Sequence, residues 1–170
     1  MVVLSCVVPD DVWLTLEQKQ AWRAHLHATQ RLFDALDRQL QRDSGFPRSE
    51  YEILVRLSEV PDGRLRMSEL AASMYFSPSR LSHAVARLER DGDVRRETGV
   101  GPGRRVDAVL TEQGYATLAA AAPGHVAEVR AQLVGKLTPK QLGQLHDISL
   151  ALLADETEDE RAFGTGPDEA

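Results

Sequence analysis

From Thr15 onward, apolar residues return every three or four positions: Leu16, Ala21, Leu26, Thr29, Leu32, Phe33, Leu36 and Leu40. That spacing predicts a helix with one apolar stripe. Thr15 and Gln18 stand at capping-box distance and Gly45 marks the stop, so the helix runs about 26 residues, on the order of 39 Å. A helix this long at the start of a small protein needs something equally long to lie against. Tyr51, Leu54, Val55 and Leu57 mark a second, shorter helix, closed by the turn signal Pro61, Asp62, Gly63. "RLRM" is a brief extended piece, after which Ser68 is expected to cap a helix of two turns. Ser77, with Pro78 at the first helical position, starts the next helix, which stops at Gly92. The period then changes from helical to alternating: "VRRE" and "RRVDAVL" read as short strands on either side of "TGVGPG". Thr111 caps an Ala- and Leu-rich helix that Pro123 and Gly124 are expected to kink or interrupt. Thr138, Pro139 and Gln141 open a last helix through about Leu153.

Two consecutive short helices followed by a glycine-tipped hairpin spell a winged helix-turn-helix. The predicted fold class is therefore mainly α with a small β-hairpin wing. In the second helix of the pair, Leu81, Val85 and Leu88 form the inward stripe, which turns Ser79, Ser82, His83, Ala86 and Arg87 outward, with Arg80 and Arg90 flanking them. Small and polar residues near the helix start allow close approach to base edges in a major groove, and the positive end of the helix dipole favours phosphate. Arg80 and Arg87 can donate bidentately to guanine or phosphate, while Ser77, Ser79, Ser82 and His83 suit shorter contacts. In the wing, Arg104 and Arg105 follow a Gly-Pro-Gly turn suited to a minor groove. Arg95 and Arg96 alternate along a strand, so only one of them faces DNA, and Arg96 is taken as that one.

Charge supports this picture once it is divided along the chain. The formal net charge is -6, with 20 Lys and Arg against 26 Asp and Glu. Residues 154–170 hold seven acids and one base, so this acidic segment, read as a disordered tail, accounts for the whole excess. Between Arg64 and Arg105 nine arginines face five acids, a local net of +4. Arginines on a helix are ordinarily a solvated face. Here they coincide with a capped helix pair, a hairpin and a local charge reversal.

Other chemistries find little support. His25 and His27 are two apart and point to different sides of a helix. His83, His125 and His146 lack zinc-ligand spacing, so no metal is expected. Cys6, the single cysteine, excludes an intrachain disulfide framework, and with no basic neighbour to lower its pKa it is not expected to be a reactive thiol. There is no P-loop, dinucleotide-binding glycine pattern or nucleophile motif, so neither an enzyme nor a cofactor is expected. No signal-peptide pattern and no membrane-length apolar run occur, and a cytoplasmic protein without a membrane partner is the expectation.

The run "RLRMSELAASMYFSPSRLSHAVARLERDGDVRRE", continued by "GRRVDAVLTEQGYATL", resembles the MarR (multiple antibiotic resistance regulator) family of bacterial winged helix-turn-helix regulators. The resemblance extends over roughly Trp13 to Leu153. It implies a homodimer with a helical dimerisation region at 10–46 and 111–153 and a DNA-binding lobe at 47–110. Each subunit would place its recognition helix and wing on half of a pseudo-palindromic double-stranded DNA operator, as a repressor. It also implies a small aromatic anionic ligand that releases DNA, for which Trp13, Trp22, His25 and Arg56 are the candidate pocket. The chain departs from the family pattern twice. Pro102 stands where an acid usually orients the tip arginine, and Asp93 follows Gly92 where an apolar residue is usual, which predicts looser packing under the wing. A different class of function is a non-DNA adaptor whose helix pair binds an acidic protein partner.

Overall fold

The computed structural model describes residues 13–98 and 105–153. Helix α1 spans Leu16–Ser44, α2 Arg48–Ser58, α3 Met67–Ser73, α4 Pro78–Arg90, α5 Glu112–Gln132 and α6 Pro139–Leu152. Strands β1 (Arg64–Arg66), β2 (Val94–Thr98) and β3 (Val106–Leu110) form an antiparallel sheet in the order β1-β3-β2, with Leu65 opposite Ala108 and Arg96 opposite Ala108 from the other side. The described cysteine-free segments leave Cys6, Arg104, Pro102 and the 154–170 tail outside the described residues.

The caps predicted at Thr15, Ser77, Thr111 and Thr138 are formed. Thr15 and Gln18 exchange side-chain and backbone hydrogen bonds at the start of α1, and Thr138 and Gln141 do the same for α6. Gly45 closes α1 in the left-handed region, at φ 78°. After α4 the Gly92 N–H donates to the Glu89 carbonyl and the Asp93 N–H to that of Leu88, with Gly92 at φ 84°: a Schellman turn that a side chain would strain.

Three local expectations change. Helix α3 starts at Met67, not after Ser68. Its first turn is held from inside by Glu69, whose carboxylate accepts the Arg66 N–H at 3.3 Å, so a serine cap is unnecessary. Pro123 does not interrupt α5, which runs as one helix of 21 residues. The acceptor that its missing N–H abandons belongs to exposed Ala119, where water can serve instead. Asp93 does not loosen the packing beneath the wing. It is buried, and its carboxylate accepts hydrogen bonds from Thr117 Oγ1 at 2.8 Å and Gln113 Nε2 at 3.4 Å. Its carbonyl accepts the Thr111 N–H at 3.0 Å. An apolar residue would pack there, whereas this acid ties α5 to the turn before β2.

The core is continuous from the lobe into the neck above it. Ile53, Leu54 and Leu57 of α2, Leu65, Leu70, the inner stripe of α4, Val94 and Ala108 join Leu40 of α1 with Leu118 and Ala121 of α5. Each fully buried leucine contributes on the order of 2 kcal/mol of transfer free energy. Where this core ends, burial ends: α1 has no buried residue before Ala35, and α6 has none at all. Tyr51 of α2 stacks obliquely on His125 of α5, with ring centroids 4.4 Å apart.

Two predictions follow from these contacts. A Cβ on Gly114 would lie 2.1 Å from the Asp93 carbonyl oxygen. Gly114→Ala is therefore expected to destabilise the protein by about 1–3 kcal/mol or more in chemical denaturation, despite alanine's better helix propensity. Burial, aided by the nearby Arg48 charge, holds the His125 imidazole below its ordinary value of 6.5. The unfolded chain then binds a proton that the folded one resists, so stability is complete above 6.5 and falls as pH drops below it. Urea midpoints measured between pH 8 and pH 5 should decline on the acidic side, and His125→Phe should flatten that decline.

Candidate nucleic-acid interface

Helix α4 has two unlike sides. Leu81, Ala84, Val85 and Leu88 are buried against α2, α3 and β2. The opposite side carries Ser79, Arg80, Ser82 and His83, all exposed, with Ala86 and Arg87 half-buried at its edge. Ser77 caps the helix by accepting the Arg80 N–H at 3.2 Å, and Pro78 sits at the first helical position. The six recognition-helix candidates are thus brought together on one element, and five of them face solvent.

The arginines around this face are held, each by a different device. The Arg80 guanidinium lies over the Phe76 ring, 3.8 Å from its centroid. Arg87 directs Nε at the buried carboxylate of Glu50 on α2. Arg96 turns back onto α4, donating to the Ser82 carbonyl at 2.7 Å and pairing with Glu89 at 3.4 Å. It braces wing and helix together, a different geometry from the DNA-facing strand arginine expected from alternation alone. Among the described residues Arg90 reaches only the Ala86 carbonyl, at 3.4 Å.

The outer face of the sheet is a charged lattice. Arg105 pairs with Asp107 at 3.1 Å. Arg64 bridges Asp107, at 3.5 Å, and Glu97, and Arg95 pairs with Glu97 at 2.7 Å. Asp107 is buried under this layer. Hydrogen bonds from Arg95 first and Arg64 second hold the Glu97 carboxyl below its ordinary range, and the same bond to Glu97 raises Arg64. An acid therefore does orient a wing arginine, but it is Asp107, two residues after Arg105.

The four proposed pocket residues are not gathered into one crevice. Trp13, Trp22 and His25 lie exposed along the first half of α1 or just before it, and Arg56 on α2 pairs with Glu59 at 3.7 Å. One open crevice of about 290 Å³ lies instead between Gln30, Phe33, Asp34 and Asp37 of α1, Arg48 and Ser49 of α2, and Arg80 of α4. There the Arg48 guanidinium stacks over Phe33 at 4.2 Å while the Arg48 backbone N–H donates to Asp37 Oδ1 at 2.9 Å. Burial lowers the Arg48 pKa, Asp37 opposes the shift, and the Arg80 charge adds to it.

Sequence reasoning passed over Glu50, Asp107, Arg64 and Phe76. Glu50 had a legible signal, since it shares the i, i+4, i+7 stripe with Leu54 and Leu57 and so was a charge on a core-facing position. Phe76 and Arg64 had none, because their partners come from stacking and from a distant strand. Among the described residues no group of three or more acids, histidines or cysteines could hold a metal, and no helix is long and apolar enough to cross a membrane.

Comparison with known proteins agrees with this geometry. A family model described as MarR family matches residues 44–105, the lobe that contains α2 to the wing. The structure of Sco3205, a MarR family transcriptional regulator from Streptomyces coelicolor solved in complex with DNA, superposes with a TM-score of 0.80. It is 46% identical, over 87% of this chain and 97% of that one. AbsC from the same organism, also a MarR family transcriptional regulator, gives a TM-score of 0.77 at 43% identity over 84% of this chain and 95% of its own. The HTH-type transcriptional repressor YetL of Bacillus subtilis (strain 168) is 30% identical over 87 residues, and the match spans about half of that relative, 52% of its length. With a winged helix-turn-helix in place and near-complete coverage of a relative of this identity, the chain belongs to the MarR family of transcriptional regulators.

Proposed function

We propose that the protein is a homodimeric, sequence-specific repressor that sets one α4 and one wing per subunit on each half of a pseudo-palindromic operator. The observation that carries this reading is the divided surface of α4. Its buried stripe fixes the helix against the lobe and leaves a face of serines, one histidine and two arginines, slim enough at the N-terminal end for close approach to base edges. Ser77, Ser79, Ser82 and His83 make short contacts to bases or backbone, and Arg80 and Arg87 supply the long donors. Arg105 with Arg104 serves the adjacent minor groove, while Arg96 holds the wing at the correct angle. That Sco3205 was solved with DNA supports the placement.

A second copy is the natural cover for the bare helices. Leu16, Trp22 and Leu26 on α1 and Ile148, Leu150 and Leu152 on α6 are all exposed, an apolar surface too extensive for a monomer to leave in water. Trp13, Trp22 and His25 would line a crevice for a small aromatic anion only where that copy encloses α1, and Arg56 would join them only by leaving Glu59.

Duplexes selected by the protein from a random pool provide the test. Binding to them should weaken steeply with salt, with a log-log slope of about -5 if six phosphates are neutralised. Sedimentation should give twice the 18.8 kDa chain mass. Trp22→Glu combined with Leu26→Glu should shift the protein to monomer and abolish tight binding. A slope near zero, with an acidic protein co-purifying instead, would favour an adaptor.

A further inference from the structure

We propose that Glu50 is a positioning residue for DNA readout, its buried carboxylate fixing Arg87 so that the outer edge of the guanidinium is presented to the groove. The inference rests on the reading above that Arg87 contacts DNA. Glu50 is 3% exposed and lies on the core-facing stripe of α2 beside Leu54. A carboxylate placed there loses its hydration, and only a close counter-charge offsets that loss; a stripe needed for packing alone is served better by an apolar side chain.

The counter-charge is Arg87, one helix away, and its side chain is divided. Nε points inward at Glu50, yet 43% of the side chain remains exposed. A guanidinium has five donors in a rigid plane, so anchoring it through Nε leaves donors of the terminal nitrogens for a guanine edge or a phosphate. The conformational freedom that a long side chain would lose on binding DNA has then been surrendered in the free protein. Arg90, one turn further along α4, shows the contrast: it is exposed and among the described residues makes only the 3.4 Å contact to its own helix.

Four proteins distinguish this role from plain stabilisation: wild type, Glu50→Gln, Arg87→Ala and the double variant. Each is titrated with the duplex that wild type selects from a random pool and with an unrelated duplex. Glu50→Gln is expected to weaken the selected duplex about 10-fold while moving the unrelated one little, and to add nothing in the Arg87→Ala background. An equal loss in both backgrounds would mean that Glu50 acts through the fold and would overturn the proposal while leaving the Arg87 contact intact. Full affinity in Arg87→Ala would overturn the underlying reading of Arg87 itself. A readout without any change to Glu50 covers the case in which the glutamine variant does not fold. The ¹⁵N-labelled Arg87 Nε–H signal, assigned by its loss in Arg87→Lys, should stay protected from exchange in both free and DNA-bound protein. Its loss of protection on adding the selected duplex would show that the arginine abandons Glu50 to reach DNA, and the proposal would fail.

Discussion

Leu81, Ala84, Val85 and Leu88 can leave water only if α4 lies flat across α2, α3 and β2, and that single requirement orders most of the lobe. It fixes the rotation of α4 about its own axis, because the buried stripe admits one setting. It sets where the helix must end, since the Schellman turn at Gly92 has to redirect the chain into β2 within two residues. It also requires that the wing be attached beside the exposed face rather than beneath it. The polar side of α4 is thus determined by what its apolar side needs.

Around that helix the charges follow one rule at several depths. Exposed arginines are steadied by an aromatic ring, as Arg80 is by Phe76, by a surface acid, as Arg95 is by Glu97, or by a backbone carbonyl, as Arg90 is by Ala86. Two of the buried carboxylates are met by arginines, Glu50 by Arg87 and Asp107 by Arg64 and Arg105, while Asp93 is met by the neutral donors Gln113 and Thr117. The acidic composition does not conflict with a nucleic-acid face, because the excess negative charge is confined to residues 154–170. Within the lobe, acids serve as anchors for cations and not as their opponents.

The helices, their caps and the inner stripe of α4 were legible in the sequence because they rest on local spacing. Thr15 with Gln18, Ser77 with Pro78, and Thr138 with Gln141 each act within one turn of chain. What escaped depends on distant partners. Asp93 looked like a weak point under the wing, since its donors Gln113 and Thr117 lie on α5, beyond both β2 and β3. Strand alternation gives Arg96 a direction but not a partner, and its partners within the chain are on α4. The pocket residues do not converge for a related reason: a crevice there needs walls from distant elements, and among the described residues of a single copy none covers Trp13, Trp22 or His25. The grouping of Ser77, Ser79, Arg80, Ser82, His83 and Arg87 on one helix was readable, whereas the way each arginine is aimed was not.

The position of β3 at the centre of the sheet bears on how the lobe assembles. Its pairing with β1 joins residues as much as 45 positions apart, Arg64 with Val109, and encloses both α3 and α4 in one long loop. The helices are local structures that form quickly, while closing that loop carries an entropic cost repaid only when the strands meet. The sheet is therefore the non-local closure of the lobe, and the bracing of α4 by the wing exists only once that closure is made.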